Sequence, residues 1–211
     1  NRDAPPVGPW VRPHVVHRLD RETSGVLLVA LHEDASRHLS MQFQKRRVRK
    51  RYVLVVEGVF PRRECTLEIP LRRARAAALE MVPDERKGKE AVTHVVRARA
   101  FGHFSVLQVE PRTGRQHQIR VHLAATGYPA AADFLYGRRE RLTGADLNRM
   151  LGSNAVDPDA VLIGRCPLHA QGITYTPPGG GPQRQVEAPL PDDLRGLLEV
   201  LEAHDPAREV P

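Results

Sequence analysis

An α+β fold with a mixed, largely antiparallel sheet is what this sequence predicts, and three observations carry that expectation. Two branched apolar runs, AVTHVVRARAF and FSVLQVEP, are parted only by Gly102-His103, which is hairpin spacing. Further strand-like runs lie on either side of them, whereas helical periodicity is confined to four stretches. No internal repeat and no long linker divides the 211 residues, so residues 1–211 read as a single domain, long enough to bury a substantial core.

In chain order, residues 1–16 are Pro-rich and aperiodic and predict an extended lead-in. The stretch HRLDRETSGVLLVA, His17 to Ala30, is a polar turn opening into Val26–Leu31. That run is short, branched and preceded by Gly25, which predicts a buried strand. HEDASRHLSMQFQKRRV follows as a helix, with Asp34 as its expected cap and Ala35, Leu39 and Phe43 on one face. The run KRRVRKR, Lys45 to Arg51, closes it; cations at a helix C-terminus are favoured by its dipole. YVLVVEGVF is the next strand, and Cys65 to Arg75 another, before a charged loop from Pro83 to Glu90. After the hairpin, Pro111 to Pro129 predicts a turn at Thr113-Gly114 and a helix ending at Gly127. On it Ile119 and Leu123 face the core, while His117, Arg120 and Ala124 share a neighbouring face. Residues 138–165 read as polar and irregular, with one short helix at Ala145 to Leu151. A strand from Leu168 to Tyr175, the turn PPGGGP and a final helix from Leu190 to Ala203, capped by Asp192, complete the chain.

Charge narrows the partners. Thirty-two Lys+Arg face 25 Asp+Glu, a formal +7, which favours a polyanion, nucleic acid first. The lysines are only Lys45, Lys50, Lys87 and Lys89; the rest of the basic side is arginine, whose planar fork suits phosphate and stacks on bases. A codon bias toward Arg, Ala and Pro would give the same skew. Cys65 and Cys166 are isolated, which excludes a zinc ribbon or a disulfide framework and predicts a reducing, cytoplasmic setting. No run has membrane-spanning length, so no membrane partner is expected. The chain starts without Met and reads as a trimmed or processed piece.

Motif spacing excludes several chemistries. His117 and His122 are five apart, off a common helix face, and neither HExxH nor CxxC occurs, so no metal is expected. Cys166-Pro167 does not satisfy the zinc-deaminase pattern. Walker and GxGxxG loops are absent. Ser24 lacks a nucleophile-elbow context, although His17 is near in sequence. What remains is Asp20, several arginines, and Tyr52 at a strand start beside the basic run. Asp20 has two readings: a carboxylate closing its own turn, or one held rigidly for chemistry. A carboxylate taken out of water requires a cation, for which Arg120 is chemically suited, and an ionised carboxylate can act as nucleophile or base.

HRLDRETSGVLLVA, KRYVLVVEG, PRTGRQHQIRVHLAATGYPAAADFLYG, PLHA and VEAPLPDDL, in this order over about residues 15–200, resemble the RluA-type pseudouridine synthases. HRLD followed by TSG, with GRxHQIRxHL, is a highly specific combination. The resemblance implies a bent, largely antiparallel sheet with flanking helices and a central RNA-binding cleft. It also implies isomerisation of uridine to pseudouridine in ribosomal or transfer RNA, without cofactor or metal. Carried onto this chain, Asp20 is the catalytic aspartate, attacking the sugar C1′ or assisting glycosidic cleavage. Tyr52 stacks on the target base and assists removal of the C5 proton, and Arg120 pairs with Asp20. Arg18 sits where the flipped nucleotide leaves its stack, and Arg115 and His117 shape the cleft or contact the RNA backbone. A loop or distorted stem is the expected substrate, because flipping costs least there.

The chain departs from that pattern in three places. It begins too late for the strand and Lys-Pro-x-Gly segment expected before HRLD, so an N-terminal edge of the domain is expected to be missing. AAAD at Ala130 to Asp133 replaces a Gly-Asp, leaving Asp133 an expected structural role. Residues 138–165 are a candidate substrate-specific insertion. Oligomeric state is not legible, and a monomer is compatible with everything above. Two rivals remain: an RNA-binding chaperone without catalysis, and an acid-dependent nuclease.

Overall fold

In a computed structural model, residues 13–76 and 78–206 are described. Most of the expected lead-in thus lies outside the described residues. The central strand is β4 (Arg49–Glu57), in the order counted after three two-residue strands, β1 (His14–Val15), β2 (Ser24–Gly25) and β3 (Val29–Ala30), and the helix α1 (Glu33–Gln44). Next come β5 (Glu64–Glu68), β6 (Leu71–Arg73), β7 (Met81–Pro83), β8 (Val92–Ala100), β9 (Phe104–Pro111) and the helix α2 (Gln118–Ala125). The chain closes with β10 (Leu142–Thr143), α3 (Gly144–Leu151), β11 (Val161–Ile163), β12 (Leu168–Tyr175), β13 (Arg184–Glu187) and α4 (Asp192–His204).

The main sheet runs β13-β12-β4-β9-β8-β5, with β2 added on β12. Every pairing in it is antiparallel except the parallel β2–β12 contact. Three small ribbons, β1–β3, β6–β7 and β10–β11, flank it. The α+β, largely antiparallel expectation holds, and so does the hairpin at Gly102-His103.

The uninterrupted apolar run of β4 is explained by burial on both faces. Val53 and Val55 pack with Phe101, Leu147, Leu194 and Leu197, beneath α3 and α4. Leu54 and Val56 point the other way, onto Leu107, Ile119, Leu123 and Leu168 beneath α2. This alternation seats α2, and Arg120 with it, on one side of the sheet.

Several expectations are corrected. Val26–Leu31 is not a buried core strand: Leu27, Val29 and Leu31 are exposed, and only Ala30 is fully buried. The cause is competition for one edge of β12. β13 occupies that edge at Gly172–Tyr175, leaving only His169 and Ala170 for β2. After Gly25, at φ +113°, the chain turns away to pair with β1 instead. α1 is capped by His32, whose ring accepts from Ala35 N–H at 3.3 Å, while Asp34 sits inside the first turn. α4 likewise begins after Pro191, with Asp192 as its first residue and without a side-chain cap. The stretch from Cys65 to Arg75 divides into two strands, β5 and β6. In residues 138–165 the expected short helix is α3, but the segment is more ordered than expected: it also carries β10 and β11 and sends Leu142, Leu147, Val156 and Ile163 into the core.

Candidate active site

The loop from His17 to Thr23 is held from three sides. His17 stacks on Phe43 of α1 at 4.6 Å, and its Nε2 accepts from Leu28 N–H at 2.9 Å. Burial, with the charge of Lys50 beside it, lowers the His17 pKa to about 4, so the ring is neutral at pH 7 and suited to accept. Thr23 N–H donates to the main-chain carbonyl of Asp20 at 3.0 Å. The turn is therefore closed by the Asp20 backbone, and its carboxylate faces the cleft. Ser24 pins the far end: its Oγ lies 2.9 Å from His169 Nδ1 and accepts from Arg165 Nη2. The imidazole next to Ser24 is thus His169, not His17, and it is sealed at 2% exposure. A Ser24–His17 pair does not exist.

A cleft of about 380 Å³ opens over this loop, and Arg18, Asp20, Tyr52, Arg115 and His117 all line it. Arg120 stands behind Asp20, at 4% exposure, with Nη1 3.7 Å from the carboxylate. Its principal partner is another acid. Nε and Nη2 donate to the two oxygens of Asp133 at 2.6 and 2.5 Å, and Asp133 is itself 1% exposed. Burial opposes both charges; the paired bonds outweigh it, raising the Arg120 pKa and lowering that of Asp133. Leu135 and Tyr136 N–H groups also donate to Asp133, fixing the acid before it fixes the arginine.

The second wall is built by β4 and the loop before α2. Burial, reinforced by the Asp20 charge, pushes the Tyr52 phenol up to about 12. Lys50, two residues earlier on the same face, is half-buried with its ammonium pKa lowered by desolvation, and its Nζ donates to Thr113 O at 3.4 Å. The Thr113 to His117 loop is held by a buried amide. Gln118 Oε1 accepts from Thr113 Oγ1 and from Arg115 N–H, while its Nε2 donates to Val92 O and Thr93 Oγ1. Arg115 Nε donates to Glu90 O. His117 is the N-cap residue of α2, left-handed at φ 52°, with its ring 2.8 Å from Tyr136 OH. Burial lowers its pKa, against the opposing pull of Asp20.

The basic run takes a different place from the one its helix position suggested. α1 ends at Gln44 with no cation in its last turn. Arg46 and Lys50 line the cleft instead, from the turn and from β4. Lys50, Gln118, Tyr136 and the dominant role of Asp133 were not foreseen. Asp133 had a signal: it is the only carboxylate between Tyr128 and Gly137, and an acid in so apolar a stretch requires a buried cation. Among the described residues no group of three or more His, Cys, Asp or Glu is placed to hold a metal ion, and no helix is long and apolar enough to cross a membrane.

A carboxylate kept in place by a buried arginine, opposite a neutral phenol and under a rim of cations, defines the class: an α+β protein whose cleft suits an anionic ligand bearing an aromatic ring. Comparison with known proteins takes this further. The RNA pseudouridylate synthase family matches residues 11–125, and the chain belongs to that family, in its RluA-type branch. An uncharacterized RNA pseudouridine synthase of Chloroflexus aurantiacus is 40% identical over 199 residues, 93% of this chain and 56% of the relative. Ribosomal large subunit pseudouridine synthase D of Neisseria meningitidis is 36% identical over 190 residues, 90% of this chain and 48% of the relative. The chain thus spans about half the length of these curated relatives. Among solved structures, human RNA Pseudouridylate Synthase Domain Containing 4 superposes with a TM-score of 0.70 at 23% identity, covering 90% of this chain and 76% of that one, a likeness of fold.

Proposed function

We propose that this chain isomerises uridine to pseudouridine in RNA, ribosomal RNA being the first candidate because relatives are named for it. The observation that carries the reading is the Asp20 carboxylate, free of its own turn and 3.7 Å from a buried arginine, at the wall of an open cleft. In the reaction the uracil N1–C1′ bond breaks, a C5–C1′ bond forms, and one proton passes from C5 to N1, so mass is unchanged. Asp20 either bonds to C1′ or stabilises the positive charge that develops there. Arg120, anchored by Asp133, keeps that carboxylate in position. Tyr52 acts as a neutral phenol packed on the base, since its pKa of about 12 keeps the proton on oxygen at pH 7. Accepting the C5 proton would require it to pass its own proton on at the same time. Arg18, Arg115 and His117 hold the everted nucleotide and its backbone, and flipping costs a few kcal/mol, about what such contacts return.

Tritium release from RNA labelled at uridine C5 tests the assignment. Release by the wild type and none by Asp20→Ala supports it; release that persists in Asp20→Ala removes Asp20 from the chemistry. Strand cleavage that stops on adding EDTA would instead favour a nuclease, and RNA binding without release a chaperone.

A further inference from the structure

A second recess, of about 470 Å³, lies beside the catalytic turn. It is lined by Arg21 and Glu22, the two residues after Asp20, and by Glu140, Arg141 and Val161 of the 138–165 segment. Phe134 lines it as well, half of its surface open to solvent. An exposed phenyl ring is unusual in this chain, which holds five phenylalanines, two of them among its largest fully buried side chains. The ring is not remote from the site: the guanidinium carbon of Arg120 stands 5.8 Å from its centroid, and Arg120 in turn reaches Asp20.

We propose that this recess receives an RNA base next to the modified uridine, stacked on Phe134. The proposal rests on the reading of the cleft given above and adds a subsite to it. The charges decide between a base and a phosphate. Two arginines are matched by two carboxylates, so the recess has no net attraction for phosphate, whereas an open aromatic face holds any base through stacking. Arg21 and Arg141 supply donors for base carbonyls and Glu140 an acceptor for an exocyclic amino group; Glu22 Oε2 already accepts from Cys166 N–H. The 138–165 segment thereby becomes a wall of the RNA site as well as part of the core.

Two measurements test this. In the first, total RNA from cells lacking the protein is treated with wild type, Phe134→Ala and Phe134→Tyr, and pseudouridine is read by sequencing over a range of RNA concentrations. Removing a stacked base contact costs about 5- to 150-fold in binding. The expected result is an apparent KM raised about tenfold in Phe134→Ala with kcat within twofold of wild type, and a KM near the wild-type value in Phe134→Tyr. An unchanged KM overturns the proposal. So does a fall in kcat alone, which would mean that the ring merely supports Arg120. In the second, Phe134→Trp is made in a Trp10→Phe background and titrated with a mixed-sequence single-stranded RNA 12-mer carrying a distant dye. Quenching of the tryptophan as dye anisotropy reports binding supports stacking; binding without quenching overturns it. Should the wild type form no pseudouridine, the proposed activity fails, and the quenching experiment still judges the recess.

Discussion

Arg120 holds two carboxylates that do different work: Asp133 through two short bonds of 2.6 and 2.5 Å, and Asp20 at 3.7 Å. The tight pair is a buried anchor, and the looser contact leaves Asp20 free to face a substrate. Asp20→Ala is therefore expected to abolish pseudouridine formation while changing stability little. Asp133→Ala strands a buried guanidinium and is expected to cost about 3–5 kcal/mol of folding stability. Urea unfolding of the two variants beside tritium release checks both. Equal destabilisation would mean that the division of labour is wrong.

Tyr52 separates stacking from proton transfer. Tyr52→Phe keeps the ring and is expected to retain RNA binding. With the phenol protonated at pH 7, its loss of rate is expected to be about tenfold or less. Tyr52→Ala is expected to lose at least 100-fold, about 3 kcal/mol. A Phe variant as inactive as the Ala variant, measured by single-turnover kinetics, would show that the hydroxyl itself carries the proton.

Gly25 accepts no side chain. An added Cβ would lie 2.2 Å from Ala170 O, and the residue's φ is +113°. Gly25→Ala is expected to cost about 2–4 kcal/mol by forcing β2 from β12, loosening the turn that carries Asp20. Thermal unfolding reads the loss, and a variant as stable as wild type would sink this account of the TSG segment.

His17 predicts a pH dependence with a definite sign. Its folded pKa, about 4, lies below its ordinary value of 6.5, so the unfolded chain binds the extra proton. Its contribution to stability is present above pH 6.5 and is lost as pH falls toward 4. His117 and His122, both lowered by burial, act in the same direction. The Tm of wild type is expected to fall more steeply between pH 6.5 and 4 than that of His17→Gln. Parallel curves would mean that His17 is not neutral in the fold.

Local pattern made much of this molecule legible. Hairpin spacing gave β8 and β9, the apolar run YVLVVEGVF gave the strand β4, and the resemblance to the RluA-type synthases pointed to Asp20, Tyr52, Arg18, Arg115 and His117, all of which line one cleft. The two strand assignments depend on neighbours a few residues apart, where side-chain period and turn chemistry act. The tertiary structure decided the rest, because it depends on which elements compete for the same partner. β13 took the edge of β12 beyond the Ser24-Gly25 contact, so the expected core strand Val26–Leu31 survives only as the two-residue β3, paired with β1. Asp133 reached Arg120 closer than Asp20 did, leaving the candidate catalytic carboxylate with the looser contact. No periodicity encodes either outcome, since each is settled by distances between residues far apart in the chain.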